Sequence, residues 1–268
     1  MPLYPWPFAD DRPCALVGMV HLPALPGSPG HSGGMGAVIA AAERDAERLA
    51  AGGCDALLVE NMGDLPYLRG RVEPSTVAAM TLATAAVTRF GLPVGVQVLA
   101  GANLEALGIA VATGACFLRV EGFAYAHVAD EGWLDACAGP LLRARAALRA
   151  EVAVWADLRK KHAAHAVTAD LSLADLARGT AFCGADALIV TGTSTGAPTD
   201  PADVAEARAA GLPVVVGSGV SEGDAPRLAG LARALIVGSW LKEGGDWRRP
   251  VEVARVRRLR AVLDDRLR

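Results

Sequence analysis

Glu60, Glu121 and Asp157 each stand at the end of a short apolar run rich in β-branched residues, and Lys160-Lys161-His162 follows the third of them. Carboxylates, amines and imidazoles gathered this way are the groups that carry protons in general acid–base catalysis. The lysines narrow the choice, because the chain holds only Lys160, Lys161 and Lys242 against 23 arginines. Unlike arginine, lysine can lose its proton, or form a Schiff base, once its pKa is lowered. Lys161, between Asp157 and His162, is therefore a candidate proton carrier or Schiff-base former; a solvated loop charge is the plain alternative. The three carboxylates, with His21 or His162, could bind a divalent cation such as Mg or Zn, act as acid and base, or form ion pairs with Arg119 and the lysines. No H-E-x-x-H spacing occurs to favour the metal, so no cofactor is assigned.

A second feature concerns anions. Val214-Val-Val-Gly-Ser-Gly-Val220 and Leu235-Ile-Val-Gly-Ser-Trp240 begin 21 residues apart, and each is an apolar run that stops on Gly-Ser. Glycine lets backbone N–H groups approach a phosphate closely, so Gly217, Ser218, Gly219, Gly238 and Ser239 are candidate phosphate ligands. In an eight-stranded β/α barrel the loops after the last two strands commonly serve this purpose. Lys242, just beyond the second Gly-Ser, would add positive charge. Thr191, Gly192 and Thr193 open a hydroxyl-rich run that is either a ligand loop or a turn.

The elements that must position these groups fit such a barrel. Apolar runs bounded by turn residues fall at roughly 15–20, 56–60, 93–99, 116–121, 152–157, 187–191, 213–217 and 234–238. Helix-length segments separate them. The first, 35–51, should stop at Gly52-Gly53; Asn103, Ser172 and Asp200 are candidate N-caps, and Pro201 and Pro250 suit a first helical turn. Strand–helix alternation repeated eight times predicts a parallel (β/α)8 TIM barrel spanning 1–268 as a single domain, with residues 1–13 as an N-terminal extension. Similar wording on the second and sixth strands, Gly53-Cys-Asp-Ala-Leu-Leu-Val-Glu60 and Gly184-Ala-Asp-Ala-Leu-Ile-Val-Thr191, fits duplication of a half-barrel or convergence of helix-Gly-strand junctions. In a barrel the chemistry sits at the C-terminal strand ends, which adds Gln97, Arg119 and Asn61, the last beside the catalytic candidate Glu60, as substrate-binding candidates.

Composition removes other classes. A net charge of −3 without a basic stripe argues against nucleic acid as a partner. Five widely spaced cysteines without a C-x-x-C argue for a reduced, cytoplasmic setting. Prolines and glycines interrupt the uncharged stretch between Arg12 and Glu43, so no integral membrane segment is expected. Barrels of this size often pair, so a homo-oligomer is expected.

Several segments together resemble the BtpA/SgcQ family: Val17-Gly-Met-Val-His-Leu-Pro-Ala-Leu-Pro-Gly-Ser-Pro29, Val59-Glu-Asn-Met-Gly-Asp-Leu-Pro66, Ala156-Asp-Leu-Arg-Lys-Lys-His162, Leu188-Ile-Val-Thr-Gly192 and Val216-Gly-Ser-Gly-Val220. The resemblance runs from about residue 14 to 265. It implies a barrel of the ribulose-phosphate-binding kind and supports His21, Glu60, Asn61, Asp64, Asp157, Lys161, His162, Thr191 and Gly217 to Gly219 as site-forming. Gln97 and Glu121 depart from the asparagines that relatives tend to carry, so the rim above strands three and four differs here. Taken with the residues, the expected activity is lyase, aldolase or isomerase chemistry on a small phosphorylated metabolite. The family's name offers a different expectation, a non-catalytic biogenesis factor for a photosynthetic membrane complex. A phosphometabolite-binding regulator is the third.

Overall fold

A computed structural model of the protein describes Tyr4, residues 6–8, 12–192 and 198–265. In chain order the strands are β1 (Ala15–His21), β2 (Ala56–Glu60), β3 (Val94–Gln97), β4 (Phe117–Val120), β5 (His127–Ala129), β6 (Gly132–Leu134), β7 (Ala153–Asp157), β8 (Ala163–Ala164), β9 (Ala187–Val190), β10 (Val214–Val216) and β11 (Ala234–Val237). Eight of them, all but β5, β6 and β8, pair in parallel and close into a barrel where β11 meets β1 in the register Ala15 to Ala234. The helices are α1 (Gly34–Gly52), α2 (Pro74–Thr88), α3 (Asn103–Thr113), α4 (Ala138–Ala147), α5 (Leu173–Phe182), α6 (Pro201–Ala207), α7 (Ala225–Ala229) and α8 (Val253–Asp265). The expected single-domain barrel is the observed fold.

Strand side chains alternate between the two faces. Leu57, Val59, Leu118 and Val120 point outward and pack under the helices. The opposite parity, including Val17, Met19, Leu58, Ile189 and Ile236, fills the barrel interior. On β3 the inward position is Gly95, where a Cβ would lie 2.1 Å from the Phe117 ring. Glycine is required there to admit that ring. Trp155 stacks on Phe117 at 4.0 Å between centroids, and Trp6 stacks on Trp155 at 5.1 Å. Trp155 is therefore interior core, and Trp6 and Phe8 pack beneath it as the floor of the barrel.

The helix ends expected from the sequence are found with two exceptions. Gly53 takes φ 97° and caps α1, Ser172 and Asp175 form a reciprocal capping box on α5, and Asp200 accepts the Ala202 N–H at the start of α6. Asn103, however, is the first residue of α3 and not its cap. Its side-chain amide donates to the Glu121 carbonyl at 2.8 Å, a buried acceptor that outcompetes the helix end. Pro250 precedes α8 instead of opening it, because Val251 bridges to Lys242.

The antiparallel sheet β6-β5-β8 is not anticipated by the apolar periodicity. It lies beyond the C-terminal ends of β4 and β7, and its strands are of only two or three residues. Segments so short carry too little alternation to be read.

Lys242 also departs from expectation. It is 1% exposed, and its Nζ lies 2.5 Å from Asp45 Oδ2 on α1, whose other oxygen accepts the Val251 N–H. The lysine thus clamps α1 to the chain entering α8 and does not reach the mouth of the barrel. Removing one partner of a buried pair leaves the other charge uncompensated. Lys242→Met should cost about 3–5 kcal/mol in chemical denaturation, and adding Asp45→Leu should restore only part of it, because the buried Val251 N–H then loses its acceptor.

Candidate active site

The inward rows of the barrel change character one step above the core. Two residues beyond Met19, Leu58, Gly95, Phe117 and Trp155 stand His21, Glu60, Gln97, Arg119 and Asp157, all on the same inward parity. On β10 and β11 the corresponding positions are Gly217 and Gly238. Five polar side chains on one side and two glycines on the other leave a cavity of about 720 Å³ at the C-terminal mouth. Both glycines are also sterically required. A Cβ on Gly238 would lie 2.7 Å from His21 Cε1, and one on Gly217 would lie 2.5 Å from Ile189 Cγ2.

Arg119 is the hub of this layer. Its Nε and Nη2 donate to the two Asp157 oxygens at 3.0 and 3.1 Å, and Nη1 donates to the Gly217 carbonyl at 3.1 Å. A fork-to-fork pair of this kind fixes both side chains. Arg119 therefore holds Asp157 and the β10 end, where the sequence had suggested a substrate contact. With both oxygens of Asp157 engaged, Glu60 and Glu121 are the two of the three strand-end carboxylates that remain open to a ligand. Among the described residues no group of three or more His, Cys, Asp or Glu is placed to hold a metal ion.

Burial acts on the remaining titratable groups in opposite directions. It raises Glu60, against the opposing fields of Arg119 and Lys161. It pushes Glu121 up to about 7, with Lys160 opposing. Burial, then the Arg119 charge, brings Lys161 down to about 8. Burial, with Lys242 and Lys161, holds His21 well below the usual imidazole range; its Nε2 stands 3.5 Å from Glu60 Oε2. The neighbouring Lys160 is committed elsewhere, 2.5 Å from Glu131 in the β5–β6 turn. Four buried atoms of cavity-lining residues, His21 Nδ1, Gln97 Oε1, Glu121 Oε2 and Ser218 Oγ, have no hydrogen-bond partner among the described residues. Such atoms are costly unless a ligand or water completes them.

The cavity wall includes His21, Glu60, Gln97, Arg119, Glu121, Asp157, Lys161 and His162, and on its glycine side Gly217, Ser218, Gly219, Gly238 and Ser239. His162 is exposed and takes a left-handed φ of 52°. Asn61 and Asp64 stand behind the wall. Asn61 Oδ1 accepts the Leu99 N–H, its Nδ2 donates to Asp64, and Asp64 Oδ1 accepts the Leu25 N–H. They tie together the loops after β1, β2 and β3. Thr191 bonds the Arg159 carbonyl at 3.3 Å, and neither it nor Gly192 lines the cavity. Thr193 lies outside the described residues.

Glu131, Tyr67, Trp247 and Arg248 line the cavity without any strand-end signal in the sequence. Glu131 arrives on the small antiparallel sheet. Trp247 meets His21 edge-on at 6.1 Å from the loop before α8, where an aromatic beside Gly244-Gly245 was the available hint.

These features define a (β/α)8 barrel with a polar cavity at its C-terminal mouth. Residues 12–264 match the BtpA family, and the chain belongs to it. It is 40% identical over 255 residues to an uncharacterized mitochondrial protein of Caenorhabditis elegans, covering 92% of this chain and 91% of the other. It is 38% identical over 247 residues to the photosystem I biogenesis protein BtpA of Synechocystis, covering 90% and 85% respectively. Among solved structures, KGPDC from Streptococcus mutans superposes with a TM-score of 0.61 at 12% identity, over 95% of this chain and 99% of the other. A 3-hexulose-6-phosphate synthase gives 0.57 at 20% identity, over 92% and 99%. These likenesses establish the barrel. Among the described residues no helix is long and apolar enough to cross a membrane.

The raised pKa of Glu121 links the site to stability. Between its ordinary 4.5 and about 7 the folded state binds the extra proton, so stability is full at low pH and is lost as pH rises through 7. Glu121→Gln should therefore match the wild type at pH 4 and exceed it at pH 8, by on the order of 3 kcal/mol in denaturant titrations.

Proposed function

We propose that this protein is an enzyme that binds a small phosphorylated metabolite and moves a proton at a carbon next to a carbonyl or hydroxyl, as lyases, aldolases and isomerases do. The observation that carries this reading is that Lys161 and the buried Glu60 and Glu121 line one cavity, where burial brings Lys161 down to about 8 and pushes Glu121 up to about 7. An ordinary lysine is almost wholly charged at pH 7, whereas an amine at about 8 is neutral in about a tenth of molecules. Acid–base catalysis is most efficient with groups titrating near the working pH. Lys161 Nζ takes the proton from carbon, or condenses with a carbonyl and releases water, and protonated Glu121 donates to the oxygen that gains charge. Glu60 and the neutral His21 contact the carbon chain between them. Arg119 and Asp157 hold the frame.

The glycine side of the cavity is assigned to the phosphate. Ser218 Oγ has no partner there among the described residues, and Gly219, at φ 67°, lines the cavity with its backbone. Support of a weaker kind comes from the barrel neighbour named for a hexulose 6-phosphate. The Synechocystis relative's name favours an assembly role instead, and the two readings part on ligand binding.

Inorganic phosphate and sugar phosphates at millimolar concentration should raise the melting temperature by several degrees, because a ligand bound only by the folded state stabilises by mass action. Ser218→Asp should abolish the rise by setting like charge against the anion, while Lys161→Met should keep it. Absence of a rise with every phosphorylated probe would remove the phosphate site and leave the assembly role as the better reading.

A further inference from the structure

Helices over a barrel ordinarily present a charged face to solvent. α1 and α8 do so, with Arg44 and Glu47 on one and Arg257 and Arg258 on the other. α2 does not. From Pro74 to Thr88 it holds no charged residue, and α3 beside it holds only Glu105, in its first turn. The residues α2 exposes are Pro74, Ser75, Ala78, Leu82 and Ala85, followed by its C-cap Arg89; Leu82 is 52% exposed. Leu104 and Val111 of α3, 39% and 44% exposed, extend the same apolar surface. Two adjacent helices of this length present roughly 400 Å² in projection, a size that on soluble proteins marks an interaction site.

We propose that a second copy of this chain docks on this face, with α2 antiparallel to α2 of the partner and Leu82 on a twofold axis. The exposed stripe has nearly the same spacing read in either direction from Leu82, so Ala78 meets the partner's Ala85 and the two leucines meet each other. Small residues on both sides of Leu82 let the helices approach closely. The charges complete the match. Glu73 and Arg89 cap opposite ends of α2, about 24 Å apart along the axis. Arg89 pairs with Glu43 of its own chain and remains largely exposed; antiparallel pairing brings Glu73 within a turn of the partner's Arg89, and the reverse, with the helix dipoles opposed. An isologous contact of this kind is the commonest form of soluble oligomer. The bordering charges, Arg71, Glu73, Arg89 and Glu105, are of both signs, unlike the basic rim that an anionic lipid surface favours.

Light scattering after gel filtration, at tens of micromolar protein, tests this directly. The wild type should elute with twice the 27.5 kDa chain mass, and Leu82→Glu with the mass of one chain while keeping cooperative thermal unfolding. Glu73→Arg should weaken the dimer, and the double exchange with Arg89→Glu should restore it. Phe182→Glu, at a fully separate exposed position, should leave the mass unchanged. A wild type of single-chain mass would overturn the proposal, as would a Leu82→Glu variant that remains paired. A single-chain wild type that sediments with anionic vesicles would assign the face to lipid and overturn it equally.

Discussion

A guanidinium buried at the mouth of a barrel must have its charge matched and its donors occupied, and Arg119 organises the rest of the site by meeting that requirement. It is 6% exposed, and its bonds run to Asp157 on β7 and to the Gly217 carbonyl at the end of β10. Three strand ends far apart in sequence are thereby held in one arrangement. The same charge has an electrostatic effect. It disfavours the protonated form of Lys161 and restrains the rise of Glu60. Geometry and proton affinity at this site thus share one cause.

The barrel's two ends are specialised by the same alternation of side chains. Below the Arg119 layer, inward positions hold aromatic and aliphatic residues, with Trp6, Trp155 and Phe117 stacked into a floor. Water is excluded there, so the polar layer has a dry base against which burial can shift its pKa values. Above that layer the small sheet β6-β5-β8 brings Glu131 to Lys160. Lys161, its immediate neighbour, is left facing the cavity. Adjacent lysines therefore take different roles because only one of them meets the sheet.

Much of this is legible in the sequence, for identifiable reasons. The eight barrel strands are visible because each is an apolar run closed by turn residues, and the polar mouth because His21, Glu60, Gln97, Arg119 and Asp157 end those runs on the inward parity. The Gly-Ser ends are visible for the same reason, and glycine there serves packing against His21 and Ile189 as well as any anion. What the sequence hides is pairing across long separations. Nothing local shows that Arg119 will turn to Asp157 or that Lys242 will be buried on Asp45, 197 residues away. Asn61 and Asp64 look like mouth residues by position, yet their oxygens are taken by loop N–H groups that the barrel closure brings near. The small sheet escapes because its strands are too short to show alternation.

The central claim is that the barrel mouth holds a lysine poised near neutrality. The rate at which an amine-directed reagent modifies Lys161, followed by mass spectrometry across pH 6 to 11, measures this without knowledge of the substrate. The account predicts a half-maximal rate near pH 8, moving upward in Arg119→Met as the neighbouring positive charge is removed. A midpoint above pH 10 in the wild type would mean an ordinary solvated lysine, and would contradict the assignment of Lys161 as the proton carrier.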